Sequence, residues 1–224
     1  MSYNFIDGEV LLIDKPLGWT SFDVVRKIRN KIKVKKVGHA GTLDPLATGL
    51  LVVCTGKKTK TIESIQVTEK EYTGTITLGN TTESYDLEKE FNGEYAIDHI
   101  TEKLIFDSTQ EFLGDIEQIP PIHSAIKVDG QRVYKKARKG ELVELKPRPV
   151  TIYEFEIVKI EMPNVHFRIR CSKGTYIRSI AHDFGKALNS GAHLSSLRRT
   201  KVGDYDVKKA LSIDDFIKEV EGNV

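Results

Sequence analysis

Cysteine is scarce in this 224-residue chain, with two residues, Cys54 and Cys171, and its six histidines stand at no CxxC, HxxxH or comparable spacing. A structural metal therefore has no ligand pattern to rest on. Both cysteines lie in apolar, strand-like runs, which reads as reduced core thiols rather than a disulfide. No apolar run approaches the roughly 20 residues of a membrane span. The opening stretch MSYNFIDGEVLLIDKP lacks the basic segment followed by an apolar one that marks a secretory signal. These absences lead to the expectation of a cytoplasmic protein with no membrane contact. Internal repeats and low-complexity linkers are also missing. What is there is ordinary for a globular chain: 39% hydrophobic and 29% charged residues, enough to bury a core in one large domain or one domain with a small appendage.

The net charge of +2 conceals a strong polarity along the chain. From Arg26 to Lys60 there are ten basic residues and a single acid, Asp44; from Glu83 to Glu117 there are eleven acids against Lys89 and Lys103; from Lys127 to Arg148 the balance is eight basic to three acidic. Two basic segments flanking glycine-rich stretches suggest a positive face for a polyanion and a solvated acidic face elsewhere.

Asp44 sits within Gly38 to Gly49, GHAGTLDPLATG. Glycines there permit positive φ or close backbone approach, and Pro45 disfavours the α region at Asp44, so an extended, fixed carboxylate among basic neighbours is expected. An isolated loop aspartate is ordinarily a solvated turn residue; the charge context argues for more.

Around this loop Val10 to Ile13 is a short apolar run that Pro16 and Gly18 break, and the spacing then predicts a helix capped by Thr20, with Asp23 completing a capping box and Phe22, Val24, Val25, Ile28 and Ile32 on one buried face. A buried strand at Leu50 to Cys54, a short helix at Lys57 to Ile65 and a strand from Tyr72 to Leu78 follow. Helical spacing marks Ile97, Ile100, Leu104 and Ile105, with a strand at Phe112 to Ile116 and an extended run at Ile122 to Val128 turning at Asp129-Gly130. Val165, Phe167, Ile169 and Cys171 alternate with His166, Arg168 and Arg170, a half-buried strand. Ile177, Ile180, Ala181, Phe184 and Leu188 form the stripe of an amphipathic helix, and a short helix spans Ile213 to Val220. Arg178, in the first turn, lies about 100° from that stripe, where arginine is ordinarily a surface residue. The expected class is α+β, with a mixed, largely antiparallel sheet and flanking helices.

The segments DKPLGWTSFDVV, GHAGTLDPLATGLLVVCTGKKTK, KEYTG, PPIHSAIKVDGQRVYKKARKG, CSKGTYIRSIAHDFG and LSSLRRT closely resemble, in this order, the motifs of the TruB family of tRNA pseudouridine synthases, from Gly8 to about Ile217. The resemblance implies a single catalytic domain over 1–224 with a pseudouridine synthase-like fold and an RNA-binding insertion at about 120–148. It implies conversion of a uridine in the TΨC loop of tRNA, position 55 in standard tRNA numbering, without cofactor or metal. By motif, Asp44 is the catalytic aspartate, either a nucleophile towards uracil or the anomeric carbon, or a base taking a sugar proton to leave a glycal. Tyr72 stacks on the uracil and helps remove the proton from the reattachment carbon. Arg178 pairs with the aspartate and holds it ionised. Leu197 walls the uracil pocket, and His39 fills or guards the space left when the nucleotide is turned out. Lys15, Asp86, Lys127 and Arg132 complete the substrate-binding set. The expected partner is the T-arm stem-loop of tRNA, with the protein a monomer.

Two departures stand out. Where bacterial relatives tend to read T-D-T-x-D, this chain reads Thr82, Glu83, Ser84, Tyr85, Asp86. It also ends at Val224, leaving no room for the C-terminal PUA domain of many relatives, so contact with the acceptor end of tRNA is expected to be weak. A tRNA-binding folding factor with incidental catalysis is the alternative, and a carboxylate-dependent glycosidase lacks a clear second acid near Asp44. Rates on an isolated T-arm stem-loop and on whole tRNA are expected to be nearly equal; a large preference for whole tRNA in parallel assays would contradict this.

Overall fold

The structure is a computed structural model that describes residues 3–122, 127–128, 131–132 and 145–222, of which 127–128 and 131–132 as backbone only. In chain order its elements begin with β1 (Val10–Lys15), α1 (Ser21–Ile32), β2 (Val37–His39), β3 (Ala47–Thr55), α2 (Ile62–Gln66) and β4 (Lys70–Leu78). Next come β5 (Asn80–Thr82), β6 (Phe91–Glu94), α3 (Glu102–Thr109), β7 (Gly114–Gln118), β8 (Lys127–Val128) and β9 (Gln131–Arg132). The last are β10 (Arg148–Glu161), β11 (Asn164–Cys171), α4 (Ile177–Ala187), β12 (Ala192–Val202), β13 (Tyr205–Asp206) and α5 (Ile213–Gly222). The chain divides into two compact units, Met1–Thr73 with Leu197–Val224, and Gly74–Ser196.

In the first unit β3 is the organising strand. It pairs antiparallel with β1, Ile13 opposite Leu51, and with β2, Val37 opposite Thr55, while β12 joins it in parallel, Arg199 opposite Gly49. Strand alternation sends Leu51 and Val53 into one apolar cluster with Ile13, Val24, Val25, Ile28, Ile213 and Phe216, and Leu50, Val52 and Cys54 into another with Ala40, Ile65 and Val202. Buried on both faces, β3 is therefore continuously apolar. Helix α1 starts where expected: Thr20 accepts from the Asp23 amide at 3.0 Å and the Asp23 carboxylate accepts from the Thr20 amide at 3.0 Å, a complete capping box. Phe22 departs from the expected buried face and is 60% exposed, because it lies about 100° from the centre of the arc formed by Val24, Val25 and Ile28.

In the second unit β10 pairs antiparallel with β7 and with β11, setting Phe155 opposite Ile169 and Ile157 opposite Phe167. The alternation read from the sequence of β11 is borne out, every second residue being buried. Phe155 is the hub of an aromatic core, with ring centroids 5.9 Å from Phe112, 5.4 Å from Phe184 and 6.2 Å from Phe167. Among the described residues, the strands and five helices make up the α+β architecture with a largely antiparallel, mixed sheet. Both cysteines are buried and unbridged.

Several boundaries differ from expectation. The helix expected from Ile97 begins at Glu102, since the Thr101 hydroxyl accepts from the Leu104 amide at 3.2 Å and caps it there. Phe112 closes a 3-10 turn, and the strand starts only at Gly114. Lys57 to Ile65 is a 3-10 turn followed by the short α2. The long β10 and β12 had no counterpart in the sequence reading. Of the extended run and turn expected at 122–130, Lys127 and Val128 are described, as β8 paired antiparallel with β9; residues 123–126 and 129–130, and most of the insertion at 120–148, lie outside the described residues.

Two stability predictions follow from this packing. Gly49 has φ +99°, and a Cβ there would lie 2.3 Å from the Arg199 carbonyl oxygen. Gly49→Ala should lower unfolding free energy by about 2–3 kcal/mol, or more if the strands separate, in urea titration; a change below about 0.5 kcal/mol would contradict the register. His182 stacks on Tyr85 with centroids 3.9 Å apart, and burial, helped by Lys186, pushes its imidazole down to about 4. The unfolded chain takes up that proton near 6.5, so the stability contribution is complete above about 6.5 and is lost as pH falls towards 4. His182→Phe keeps a ring over Tyr85 and should show a smaller fall in urea midpoint between pH 7 and pH 4.5 than the parent chain.

Candidate active site

Asp44 lies in the irregular segment between β2 and β3, where no strand ladder meets the backbone polar groups, and every residue from 41 to 45 is held by another part of the first unit. The Arg199 guanidinium donates to the carbonyls of Gly41, at 3.1 Å, and Thr42, at 3.3 Å. Ser21 Oγ accepts from the Leu43 amide at 2.8 Å and donates to the Leu43 carbonyl at 3.1 Å. The Asp44 carbonyl accepts from the Ala47 amide at 3.1 Å, and the Pro45 carbonyl from the Gly18 amide at 2.8 Å. The Asp44 carboxylate is thus carried, partly buried, on a backbone fixed at five consecutive residues.

Lys15 ends β1 with a fully buried side chain, its ammonium donating to the carbonyls of Trp19 at 2.5 Å, Pro16 at 3.0 Å and Pro45 at 3.4 Å. Burial pushes its pKa down to about 8 against the opposing attraction of Asp44, and Arg199 lowers it further. At neutral pH Lys15 is therefore a cation beneath the loop. Expected among the substrate contacts, it is occupied by backbone carbonyls. His39, at the end of β2, is also lowered in pKa by burial; a backbone hydrogen bond at Gly41 opposes this and the charge of Arg199 adds to it, so the ring is neutral at pH 7. Leu197 is partly buried on β12, opposite Ala47, its carbonyl 3.4 Å from Thr48 Oγ1. Tyr72 is a buried residue of β4 in the same unit. The first unit therefore carries Lys15 at the end of β1, His39 at the end of β2, Asp44 in the loop leading into β3 and Leu197 within β12, opposite Ala47.

Arg178 and Asp86 belong to the second unit. Arg178 is 4% exposed, contrary to the surface place its helical angle suggested. Burial off the apolar stripe is possible because α4 faces the 84–86 turn there: Arg178 Nη1 donates to the Ser84 carbonyl at 3.3 Å and stands 3.6 Å from Asp86 Oδ2. Asp86 in turn accepts from the Glu88 amide at 3.0 Å, and its carbonyl accepts from the hydroxyls of Thr82, at 2.7 Å, and Ser84, at 3.2 Å. The side chains of Lys127 and Arg132 lie outside the described residues. Among the described residues no cluster of His, Cys, Asp and Glu could hold a metal ion, and no helix is long and apolar enough to cross a membrane.

Sequence reasoning passed over Ser21 and Arg199. The signal for Arg199 was the LRRT segment: alternation along a strand puts Leu197 and Arg199 on one face and Arg198 on the other, so one of two adjacent arginines must turn inward. Arg198 turns outward to Asp14, with 2.6 Å between Nη2 and Oδ2. A constrained carboxylate with buried cations behind it can serve as a nucleophile or as a proton acceptor.

Comparison with known proteins now bears on this geometry. Residues 29–177 match the family model for the N-terminal domain of TruB family pseudouridylate synthases, and residues 178–222 that for the tRNA pseudouridylate synthase B C-terminal domain. A curated tRNA pseudouridine synthase B of Flavobacterium johnsoniae is 56% identical, over 97% of this chain and 98% of that relative. One from Bacteroides fragilis is 53% identical, over 97% and 96%. Among solved structures, a chain of a Cbf5-Nop10-Gar1 complex superposes with a TM-score of 0.75 at 32% identity, covering 96% of this chain and 54% of that one. A chain of an H/ACA RNP bound to a substrate RNA containing 2'-deoxyuridine gives 0.72 at 29% identity, over 96% and 53%. This chain spans about half the length of those two structural relatives but nearly all of the curated ones. The two family models together span residues 29–222, which include Asp44 and Arg199, and the chain belongs to the TruB family of pseudouridylate synthases.

Proposed function

We propose that the protein isomerises uridine to pseudouridine in the TΨC loop of tRNA, at position 55 in standard tRNA numbering, with Asp44 as the reactive carboxylate. The observation that carries the reading is the anchoring of Asp44 at residues 41–45 above two buried cations, Lys15 and Arg199, in a chain 56% identical to a relative named tRNA pseudouridine synthase B. The reaction breaks the bond from sugar carbon to base nitrogen and rejoins the base through carbon, so no atom is gained or lost and no cofactor is called for. Asp44 acts either by attacking uracil or the anomeric carbon, or by taking a sugar proton. In both routes the carboxylate must be ionised and pressed against the nucleoside. Because a stacked, paired uridine offers its glycosidic bond to no carboxylate, the nucleotide is turned out, at a cost of about a few kcal/mol.

In this reading Tyr72 stacks on the extruded uracil and Leu197 lines its pocket. His39, neutral through burial, occupies the gap left in the T-loop without adding charge. The family resemblance assigns Arg178 as the partner of Asp44, and Asp86, 3.6 Å from Arg178, orients the guanidinium. The insertion at 120–148, including Lys127 and Arg132, closes over the RNA. In the first unit the exposed lysines Lys33, Lys35, Lys36, Lys58 and Lys60 supply positive surface for phosphates. The domain reading is one catalytic domain that functions as a monomer.

The test is incubation with unmodified tRNA transcript, followed by chemical marking of pseudouridine and mapping by primer extension. A single new stop in the T-loop is expected. Asp44→Asn should reduce its appearance by about 10³-fold or more while tRNA binding by filter assay stays within about three-fold. Modification elsewhere would refute the site, and release of free uracil would refute the isomerase. An Asp44→Asn protein that retains the parent rate would refute the assignment of the aspartate.

A further inference from the structure

We propose that Arg199 is a positioning residue for Asp44: it fixes the backbone leading into the aspartate and supplies the permanent buried charge that favours its carboxylate form. The inference rests on the reading of Asp44 as the reactive acid.

Arg199 is 1% exposed and the bulkiest of the fully buried side chains. Its fork reaches three carbonyls: Nε to Leu50 at 2.8 Å, Nη2 to Gly41 at 3.1 Å and Nη1 to Thr42 at 3.3 Å. No carboxylate of the described residues forms an ion pair with it. A guanidinium buried without a counter-ion is among the least favourable placements in a core, and a methionine would fill the volume without that penalty. Packing alone therefore does not account for the residue. What it touches does, since Leu50 follows the loop at the start of its strand and Gly41 and Thr42 precede Asp44. At the other end of the loop, the absent Cβ of Gly49 lets the Arg199 backbone approach closely, so a single residue grips both ends of the segment that carries Asp44.

The charge reaches the same place. Arg199 contributes to the lowered pKa values of Lys15 and of His39, although burial is the larger cause in both. The charges felt at Lys15, at the end of β1, are those of Asp44 itself, Asp23 on α1 and Arg199 on β12, and Arg199 is the one felt at His39 on β2; the proposed reading adds Arg178 and Tyr72. His39 is neutral, and Asp23 is tied to Thr20 and Arg26. Lys15, with a pKa of about 8, gives up its proton in mildly alkaline solution, whereas a guanidinium keeps its charge throughout. Arg199 is thus the constant source of positive potential on this side of Asp44.

The experiment compares Arg199→Met and Arg199→Lys with the parent chain. In the free proteins the Asp44 carboxyl is titrated by carbon NMR, assigned through Asp44→Asn; with tRNA, affinity and single-turnover pseudouridine formation are measured across pH. Arg199→Met should raise the Asp44 midpoint by about one pH unit and move the acid limb of the rate profile with it. Its rate at pH 7 should fall by about 100-fold, with tRNA affinity within about three-fold. Arg199→Lys keeps the charge but loses the three-way fork, so it should hold the midpoint near the parent value while losing about ten-fold in rate. An unmoved Asp44 midpoint in Arg199→Met overturns the electrostatic claim, and a parent-like rate in Arg199→Lys overturns the geometric one. If Arg199→Met does not fold, as judged by circular dichroism, the rate of Arg199→Lys decides. A parent chain that makes no pseudouridine on tRNA would sink the functional reading and leave the NMR test of Arg199 intact.

Discussion

A loop that carries a reactive carboxylate must leave the sheet, and leaving the sheet strands its carbonyls; the first unit is built around answering that problem. From Gly41 to Pro45 no ladder meets the carbonyls, so the donors come from Lys15, Gly18, Ser21, Ala47 and Arg199. Two of the five are cations with fully buried side chains. Charge-assisted bonds to carbonyls are each worth about 1.5–3 kcal/mol, against a burial penalty of several kcal/mol per ion. Near balance on stability makes the choice of cations intelligible only in terms of what sits above them. The surrounding clusters on both faces of β3 provide the rigidity that such near-balanced groups cannot supply themselves.

Regular periodicity was legible in the sequence wherever burial followed it. The capping box of α1, the alternation of β11 and the stripe of α4 appear where the spacing placed them, since each element buries an apolar face, although α4 also buries the polar residues of its first turn. The misses have a common physical cause. Phe22 was counted into the buried arc because it is apolar, although its angle places it outside. Strand β12 was invisible because its second half reads Leu197, Arg198, Arg199, Thr200, Lys201, a polar run in which Arg199 is nevertheless core. Arg178 was misjudged for the same reason. Hydrophobic pattern finds faces that bury apolar atoms and is blind to charged side chains buried because they are satisfied by carbonyls or a carboxylate. Of the site residues, Asp44 was legible through its glycines and its isolation among bases; the anchors were legible only as parts of motifs.

The charge polarity of the chain also needs sorting by what each charge touches. On β11, Arg168 and Arg170 share Glu154 on β10, at 2.8 Å and 3.0 Å, and Arg168 also reaches Glu156 at 2.7 Å. Arg26 is paired with Asp23 at 2.6 Å, and Lys31 with Glu221. Such partly exposed pairs contribute little to stability but reduce the potential available to a polyanion. What these pairs leave of the first unit's basic surface includes Lys27, the lysines of the 33–36 turn, Lys58 and Lys60 after β3, and Lys208 and Lys209, which are short-range, hydrated point charges suited to phosphate contact.

The anchoring also explains why a chain of ordinary composition carries such recognisable segments. DKPLGWTS holds three of the loop's partners, Lys15, Gly18 and Ser21; GHAGTLDPLATG is the loop with its two terminal approaches; LSSLRRT holds Arg199. They are separated by up to roughly 180 residues in sequence and meet within a few ångströms of Asp44's backbone. Each contact requires a particular side chain or the absence of one, because a carbonyl accepts only from a donor of suitable reach and Gly49 admits no Cβ. A hydrophobic core tolerates many sequences of similar volume. A loop fixed residue by residue through distant polar groups tolerates few, so three of the six recognisable segments of this chain are the local geometry of one aspartate spread out along the sequence.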